Sequence, residues 1–257
     1  MQDRRRLRIG CVQYLNARPL IHGWPTDVVL DHPSALCAQL ARGELDVALV
    51  SSFEFLRNPI YRIADGISIS SDGPVYSVFV AHRGKISDVE QIELDPAAET
   101  SGNLLRCLLS ELKLGPRFIA TSTSSPAKRS ARLLIGDQAI RFRQKHTNEF
   151  QFWDLGEQWK KLVGLPFVYA LWLVRPEVVD PKSIADRLRT LRDQNIVNID
   201  DLVGDEKEFD RSFCGRYYRE HLRFSFGERE KKGLRGFNEL CQKRELLPKR
   251  EIAFSVV

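Results

Sequence analysis

Two rhythms of apolar and polar positions alternate along the first 80 residues. Residues 7–12 (LRIGCV), 27–30 (DVVL) and 46–50 (DVALV) are short apolar runs predicted as strands. The last is wholly apolar after Asp46, as a strand covered on both faces requires. Between them the period lengthens. Residues 16–23 predict a helix whose first turn Pro19 favours. Residues 33–41 place Leu36, Cys37, Leu40 and Ala41 on one helical face, with Gly43 as the C-terminal cap. Ser51 and Glu54 have the spacing of a capping box. Strand–helix–strand repetition argues for a parallel sheet with right-handed crossovers. Ligands of such sheets bind beyond the carboxyl ends of the strands, which directs attention to residues 13–16 and to Ser51 and Ser52.

A second α/β block follows. Residues 75–81 (VYSVFVA) predict a longer strand and residues 85–91 a loop or short helix. Residues 91–94 predict a strand, and residues 100–112 an amphipathic helix with Leu104, Leu105, Leu108, Leu109 and Leu112 as its core stripe. Residues 117–120 and 133–135 predict further strands, with Ser125-Pro126 as a cap and first helical position between them. Residues 167–174 (FVYALWLV) form the most apolar strand of the chain. Pairing it with residues 75–81 would give two linking strands between two lobes. After Pro176 the pattern is helical, over residues 181–194, 210–222 and 228–244. The predicted organisation is one lobe from residues 1–83 and 167–257 and an inserted lobe from residues 84–166, with a ligand cleft between them. Hinges are expected near Ala81-His82 and Pro166-Phe167.

Composition narrows the function classes. With 43% hydrophobic and 28% charged residues, the 257-residue chain has an ordinary globular balance. Its longest apolar run is too short for a bilayer span of about 20 residues, and no apolar segment follows the N-terminal arginines as in a secretory signal. A cytoplasmic protein without a membrane partner is expected. The five cysteines are scattered, without a C-x-x-C pair, and the five histidines lack metal-binding spacing. No metal site is implied. The formal charge of +5 is spread along the chain; Arg4 to Arg6 form the one tight cluster near a terminus. Aromatic and basic residues do not interleave as in an RNA-binding sheet, so the excess favours a small anion over nucleic acid.

Several polar residues stand where chemistry is expected. Asn16, just past the first strand, offers an amide to a carboxylate or a departing hydroxyl, or simply shapes a turn. Tyr14 lines the cleft or packs in the core. Ser77, in the predicted strand with Val75 and Phe79 on its face, suits a carboxylate contact or is a plain strand serine. Thr100, Ser101, Gly102 and Asn103 open a helix, whose free N–H groups either bind an anion or are capped locally. Asp137, at a strand end, is a candidate general base or orienting group, or a capping or inter-lobe salt-bridge aspartate. His22 and His82 lie nearest these motifs and read as surface or hinge residues.

The stretch Ile9-Gly10-Cys11-Val12-Gln13-Tyr14-Leu15-Asn16-Ala17-Arg18-Pro19-Leu20 resembles the opening of the chorismate dehydratase family. Further blocks are similar in the same order: Gly43 to Glu54, Asp72 to Val78, Leu133 to Asp137, Asp154 to Trp159 and Gly164 to Trp172. The resemblance implies a two-lobed α/β fold of the periplasmic-binding-protein type (type II). It implies loss of water from chorismate to give 3-[(1-carboxyvinyl)oxy]benzoate, the first step of the futalosine route to menaquinone, by a monomer or homodimer without a cofactor. On it, Asn16, Ser77 and Asp137 are the expected catalytic residues, and Tyr14, Ser51, Ser52, Thr100, Ser101, Gly102 and Asn103 the expected substrate-binding residues. Two departures stand out: Ala98-Glu99 where the family usually has Ser-Arg, and Gln13 where serine is common. Two other readings use the same scaffold. One is a small-anion-binding or sensor protein. The other is the related 1,4-dihydroxy-6-naphthoate synthase, which opens with a different, acidic motif.

Overall fold

The structure, a computed structural model, describes residues 7–95, 98–120, 129–204 and 206–257. The expected cap at Ser125-Pro126 and the Arg4–Arg6 cluster lie outside the described residues. The strands are β1 (Ile9–Val12), β2 (Val28–Asp31), β3 (Val47–Ser51), β4 (Arg62–Ser71), β5 (Val78–His82), β6 (Gln91–Leu94), β7 (Arg117–Ala120), β8 (Ser130–Ile135), β9 (Gln151–Asp154) and β10 (Phe167–Val174). The helices are α1 (Arg18–Ile21), α2 (Pro33–Ala41), α3 (Ser52–Arg57), α4 (Glu99–Glu111), α5 (Gly136–Lys145), α6 (Leu155–Val163), α7 (Pro181–Val197), α8 (Ile199–Gly204), α9 (Arg211–Arg216) and α10 (Glu228–Lys243). A 3-10 turn, Leu15–Ala17, precedes α1, and a π-helical turn, Tyr217–His221, continues α9.

The strands form two five-stranded sheets, β2-β1-β3-β10-β4 and β7-β6-β8-β5-β9. In the first, β1 runs parallel to β2 and β3, while β10 runs antiparallel to β3 and β4. In the second, β6 is parallel to β7 and β8, and β5 is antiparallel to β8 and β9. Each sheet thus joins a parallel β-α-β core to a reversed strand, giving two lobes with a cleft between them. The helical return of residues 176–244 packs back on the first sheet, α7 against β4 and α10 against β10.

Three expectations change here. Strand β10 does not pair with residues 75–81; it pairs with β4, which the apolar pattern leaves unassigned. Residues 67–70 of β4 read Ile-Ser-Ile-Ser, and their serines are buried because Ser225 and Arg223 carbonyls accept from Ser68 and Ser70. Residues 78–82 instead form β5 inside the second sheet. Ala81 and His82 are therefore paired with β9 rather than free to hinge, and His82 is buried, not on the surface. Chain crossings between the sheets lie at residues 72–77 and 164–166, where the Lys160 ammonium donates to Asp72 at 2.6 Å. Lastly, Leu112 falls at the C-cap of α4 and is exposed, so the stripe ends at Leu109.

Candidate functional site

The carboxyl ends of β1 and β3 and the starts of α4 and α5 enclose a cavity of ≈ 70 Å³ between the lobes. Tyr14, Asn16, Ser51, Ser77, Thr100 and Ser101 all line it, together with Gly136, Glu99 and Tyr169. The structure thus brings together residues up to 87 positions apart in sequence that were singled out one by one. Ser52, Gly102, Asn103 and Asp137 are not in the lining. Ser52 is buried and donates to the Val168 carbonyl at 2.7 Å. Gly102 and Asn103 face a separate groove beside Arg57 and Arg106. Among the described residues no Lys or Arg lines the cavity, and no group of three His, Cys, Asp or Glu side chains gathers as metal ligands would.

Asn16 is half-buried in the 3-10 turn, and its side-chain oxygen is fully buried without a hydrogen-bond partner. An orphaned acceptor of this kind costs free energy unless something supplies a partner. Ser77 is not within a strand, as its neighbours suggested. It ends the crossover just before β5, next to Tyr76 at φ 68°. Asp154 fixes that crossover: its buried carboxylate accepts from the N–H of Val75 (3.0 Å), Tyr76 (2.8 Å) and Glu157 (3.1 Å). Ser77 itself accepts a 2.6 Å bond from the Tyr217 hydroxyl. Asp154 and Tyr169 lie inside the family-like blocks Asp154 to Trp159 and Gly164 to Trp172 but carry no expected role there, and Tyr217 lies in none of the blocks; Asp154 opens α6 as its N-cap.

The expected capping box at Ser51 does not form. The Ser51 hydroxyl instead meets the Thr100 hydroxyl across the cleft, and the Phe53 N–H donates to Thr100 at 3.3 Å. Glu54 pairs with Arg57 rather than returning to the cap. Thr100, from the second lobe, therefore caps a helix of the first. Beside it Arg57 also donates to Glu99 at 2.5 Å, a second link across the lobes. The acidic residue at position 99 is thus matched by a guanidinium from the opposite side. Burial pushes the Glu99 carboxyl above its usual range, partly offset by Arg57. Cleft burial likewise pushes Tyr14 up to about 12.

A third link comes from Asp137, whose carboxylate accepts from the Leu15 N–H at 2.9 Å. Burial raises its pKa from 3.8 to about 6, against the lowering effect of that bond. The folded chain therefore binds this proton more tightly than the unfolded chain. Its contribution to stability is full below about pH 4, declines as pH rises to about 6, and is then constant. We expect Asp137→Asn to raise the melting temperature relative to wild type increasingly between pH 4 and 6, reaching a constant gain of a few degrees above pH 7. Thermal melts across pH 4–8 check this; a gain that grows toward acid would contradict it.

Comparisons with known proteins agree with this architecture. A family model described as menaquinone biosynthesis matches residues 7–243. The chain is 28% identical over 255 residues to a chorismate dehydratase of Thermus thermophilus, covering 90% of this chain and 93% of that one. It is 27% identical over 159 residues to a chorismate dehydratase of Campylobacter jejuni, covering 61% and 58%. Among solved structures, protein AF1704 of Archaeoglobus fulgidus superposes with a TM-score of 0.71 at 18% identity, covering 94% of this chain and 98% of that one. The alkanesulfonate-binding protein SsuA of Xanthomonas axonopodis pv. citri gives 0.62 at 15% identity, covering 98% and 97%. These two likenesses concern the fold: two lobes of the periplasmic-binding-protein type. No described helix is long and apolar enough to cross a membrane. By the family match over nearly its whole length, this chain belongs to the menaquinone biosynthesis family.

Proposed function

We propose that the chain is a chorismate dehydratase that forms 3-[(1-carboxyvinyl)oxy]benzoate and water, supplying the futalosine route to menaquinone from the cytoplasm. The observation that carries this reading is the lining of the inter-lobe cavity: Asn16, Ser51, Ser77, Thr100 and Ser101 converge there, in a chain whose curated relatives carry that activity. The reaction removes one ring proton and one hydroxide equivalent, and the ring becomes aromatic. The chemistry is downhill once substrate is held correctly, so positioning supplies most of what is needed.

The residues divide that work. Helix geometry leaves the first N–H groups of α4 without intrahelical acceptors, so Thr100 and Ser101 offer backbone and hydroxyl donors to a substrate carboxylate. Asn16 and Ser77 face the space between, as donors for the departing hydroxyl or the second carboxylate. Among the described residues no His or Lys lines the cavity. A substrate carboxylate can then take the ring proton itself, the protein holding the two in register. Residues 1–83 and 167–257, with β5 reassigned, would form one closing body and the inserted segment the other.

Incubation of the purified protein with chorismate in the presence of a chelator tests the reading, by absorbance and by mass for loss of one water. Formation of the carboxyvinyloxybenzoate is expected. Chorismate bound tightly but unchanged would overturn it in favour of an anion-binding protein. Turnover of a cyclic futalosine derivative would point to the naphthoate-forming enzyme.

A further inference from the structure

A 3-10 turn and the start of helix α5 meet across the cleft. On one side lies Tyr14-Leu15-Asn16, after β1; on the other lies Gly136-Asp137, after β8. Gly136 adopts φ +60°, and a Cβ there would lie 3.1–3.2 Å from three ring atoms of Tyr14. The ring therefore rests on the bare glycine, and the two segments come close enough for the Asp137 carboxylate to accept from the Leu15 N–H at 2.9 Å. The other end of the residue is also held: the buried Tyr218 hydroxyl donates to the Leu15 carbonyl at 3.0 Å. Leu15 is thus fixed by its N–H from the second lobe and by its carbonyl from the helical return. The next residue is Asn16, whose buried oxygen has no partner and whose side chain lines the cavity.

The neighbouring tyrosine does the same for the other polar candidate. Tyr217 donates to the Ser77 hydroxyl at 2.6 Å, and the Gly136 N–H donates to the Ser77 carbonyl at 2.9 Å. One frame therefore runs from Tyr217 through Ser77 and Gly136 to Asp137, then through Leu15 to Tyr218. Asp137 belongs to this frame and not to the cavity lining.

Resting on the dehydratase reading, we propose that Asp137 is a positioning residue, which with Tyr218 clamps Leu15 so that Asn16 stays aimed at the substrate, and that it does not take the ring proton. A neutral carboxyl keeps a carbonyl oxygen that accepts from Leu15, so the clamp survives protonation. The groups facing Asp137 are Tyr14 from the opposite turn, Arg141 on its own helix (paired with Glu208), Glu206 (paired with Arg18), and Cys214 and Tyr217 from the helical return. Among them Arg141 lowers the Asp137 pKa, and Glu206 and Glu208 raise it.

The variants Asp137→Asn, Asp137→Ala and Tyr218→Phe separate the roles. We expect kcat on chorismate to fall about threefold in Asp137→Asn, which keeps an acceptor oxygen, and about 30- to 100-fold in Asp137→Ala, which does not. Tyr218→Phe should fall about fivefold to tenfold. Wild type should show no loss of kcat on acidification through pH 6. The second readout needs no turnover: exchange of the Leu15 amide proton, followed by NMR, should stay slow in wild type and Asp137→Asn and quicken at least tenfold in Asp137→Ala. Asp137→Asn as inactive as Asp137→Ala, with Leu15 still protected, would overturn the proposal and make the carboxylate the base. An unchanged kcat and unchanged exchange in Asp137→Ala would overturn it too. If wild type makes no product, the dehydratase reading fails alone, and the exchange rates decide the clamp. If Asp137→Ala does not fold, Tyr218→Phe and Asp137→Asn carry the test.

Discussion

Asn16→Ala lowers the turnover of chorismate by about 10²–10³-fold, with little change in melting temperature. Both halves of this expectation come from one observation. The Asn16 side-chain oxygen is buried and has no partner, so truncation strands no protein group. Removing a buried polar atom that was already unsatisfied is close to neutral for folding. The same side chain, with its orphaned oxygen, lines the cavity together with Ser77, Thr100 and Ser101. Its loss therefore falls on the reaction and not on the fold. Rates read from product absorbance, beside thermal melts of the same preparation, check this. Asn16→Asp is the companion: it keeps the shape but loses the donor and adds a negative charge facing a dianion, so it should be at least as impaired. Turnover within a fewfold of wild type in Asn16→Ala would remove Asn16 from the site.

The largest effect on stability is expected from Gly233→Ala. A Cβ at Gly233 of α10 would lie 2.0 Å from the Pro166 carbonyl oxygen. That oxygen is backbone, at the crossing that leads into β10, and it also accepts from the Trp159 indole at 3.2 Å. Trp159, Phe167 and Phe237 pack edge-to-face around the same point. The methyl group must push α10 off the crossing or move the carbonyl from its donor. A cost of about 3 kcal/mol follows from overpacking of this severity, or a fall of roughly 6–12 °C in melting temperature. Gly236, one turn on in the same helix, provides the contrast. A Cβ there meets Val163 at 3.8 Å, ordinary contact, so Gly236→Ala should gain helix propensity and hold or raise stability. Equal behaviour of the two variants would show that the close approach at Gly233 is relieved cheaply.

What could be read from the sequence depended on whether a residue's neighbours in the chain were also its partners in space. Strands β1 and β3 and helices α2 and α4 carry their own apolar pattern and stand where residues 7–12, 46–50, 33–41 and 100–112 predicted them. Strand β4 does not, because its serines are satisfied by carbonyls of residues 223 and 225, more than 150 positions away. The strand predicted over residues 75–81 begins only at Val78, as β5, and belongs to the other sheet, since strand propensity says nothing of pairing. Ser51 and Glu54 had the spacing of a local cap, yet Thr100 outcompeted it from the other lobe. The cavity residues Tyr14, Asn16, Ser77 and Thr100 were legible because short motifs carry them. Tyr217 and Tyr218 were not, because their role is fixed by contacts 140 and 203 positions away.

The order β2-β1-β3-β10-β4 has a consequence for how the chain is born. Strand β10 lies between β3 and β4, so the first sheet lacks its most apolar member until residues 167–174 have been made. During synthesis, β3 and β4 emerge with the edges that β10 will cover still open. At about 5–20 residues per second, roughly 100 further residues keep them waiting on the order of 10 s. Every strand of the second sheet is translated within that interval and can pair beforehand. The inserted lobe is thus placed to mature first, while the lobe that begins the chain finishes last. Slow long-range closure and open strand edges make that waiting period the chain's most exposed time for misassociation.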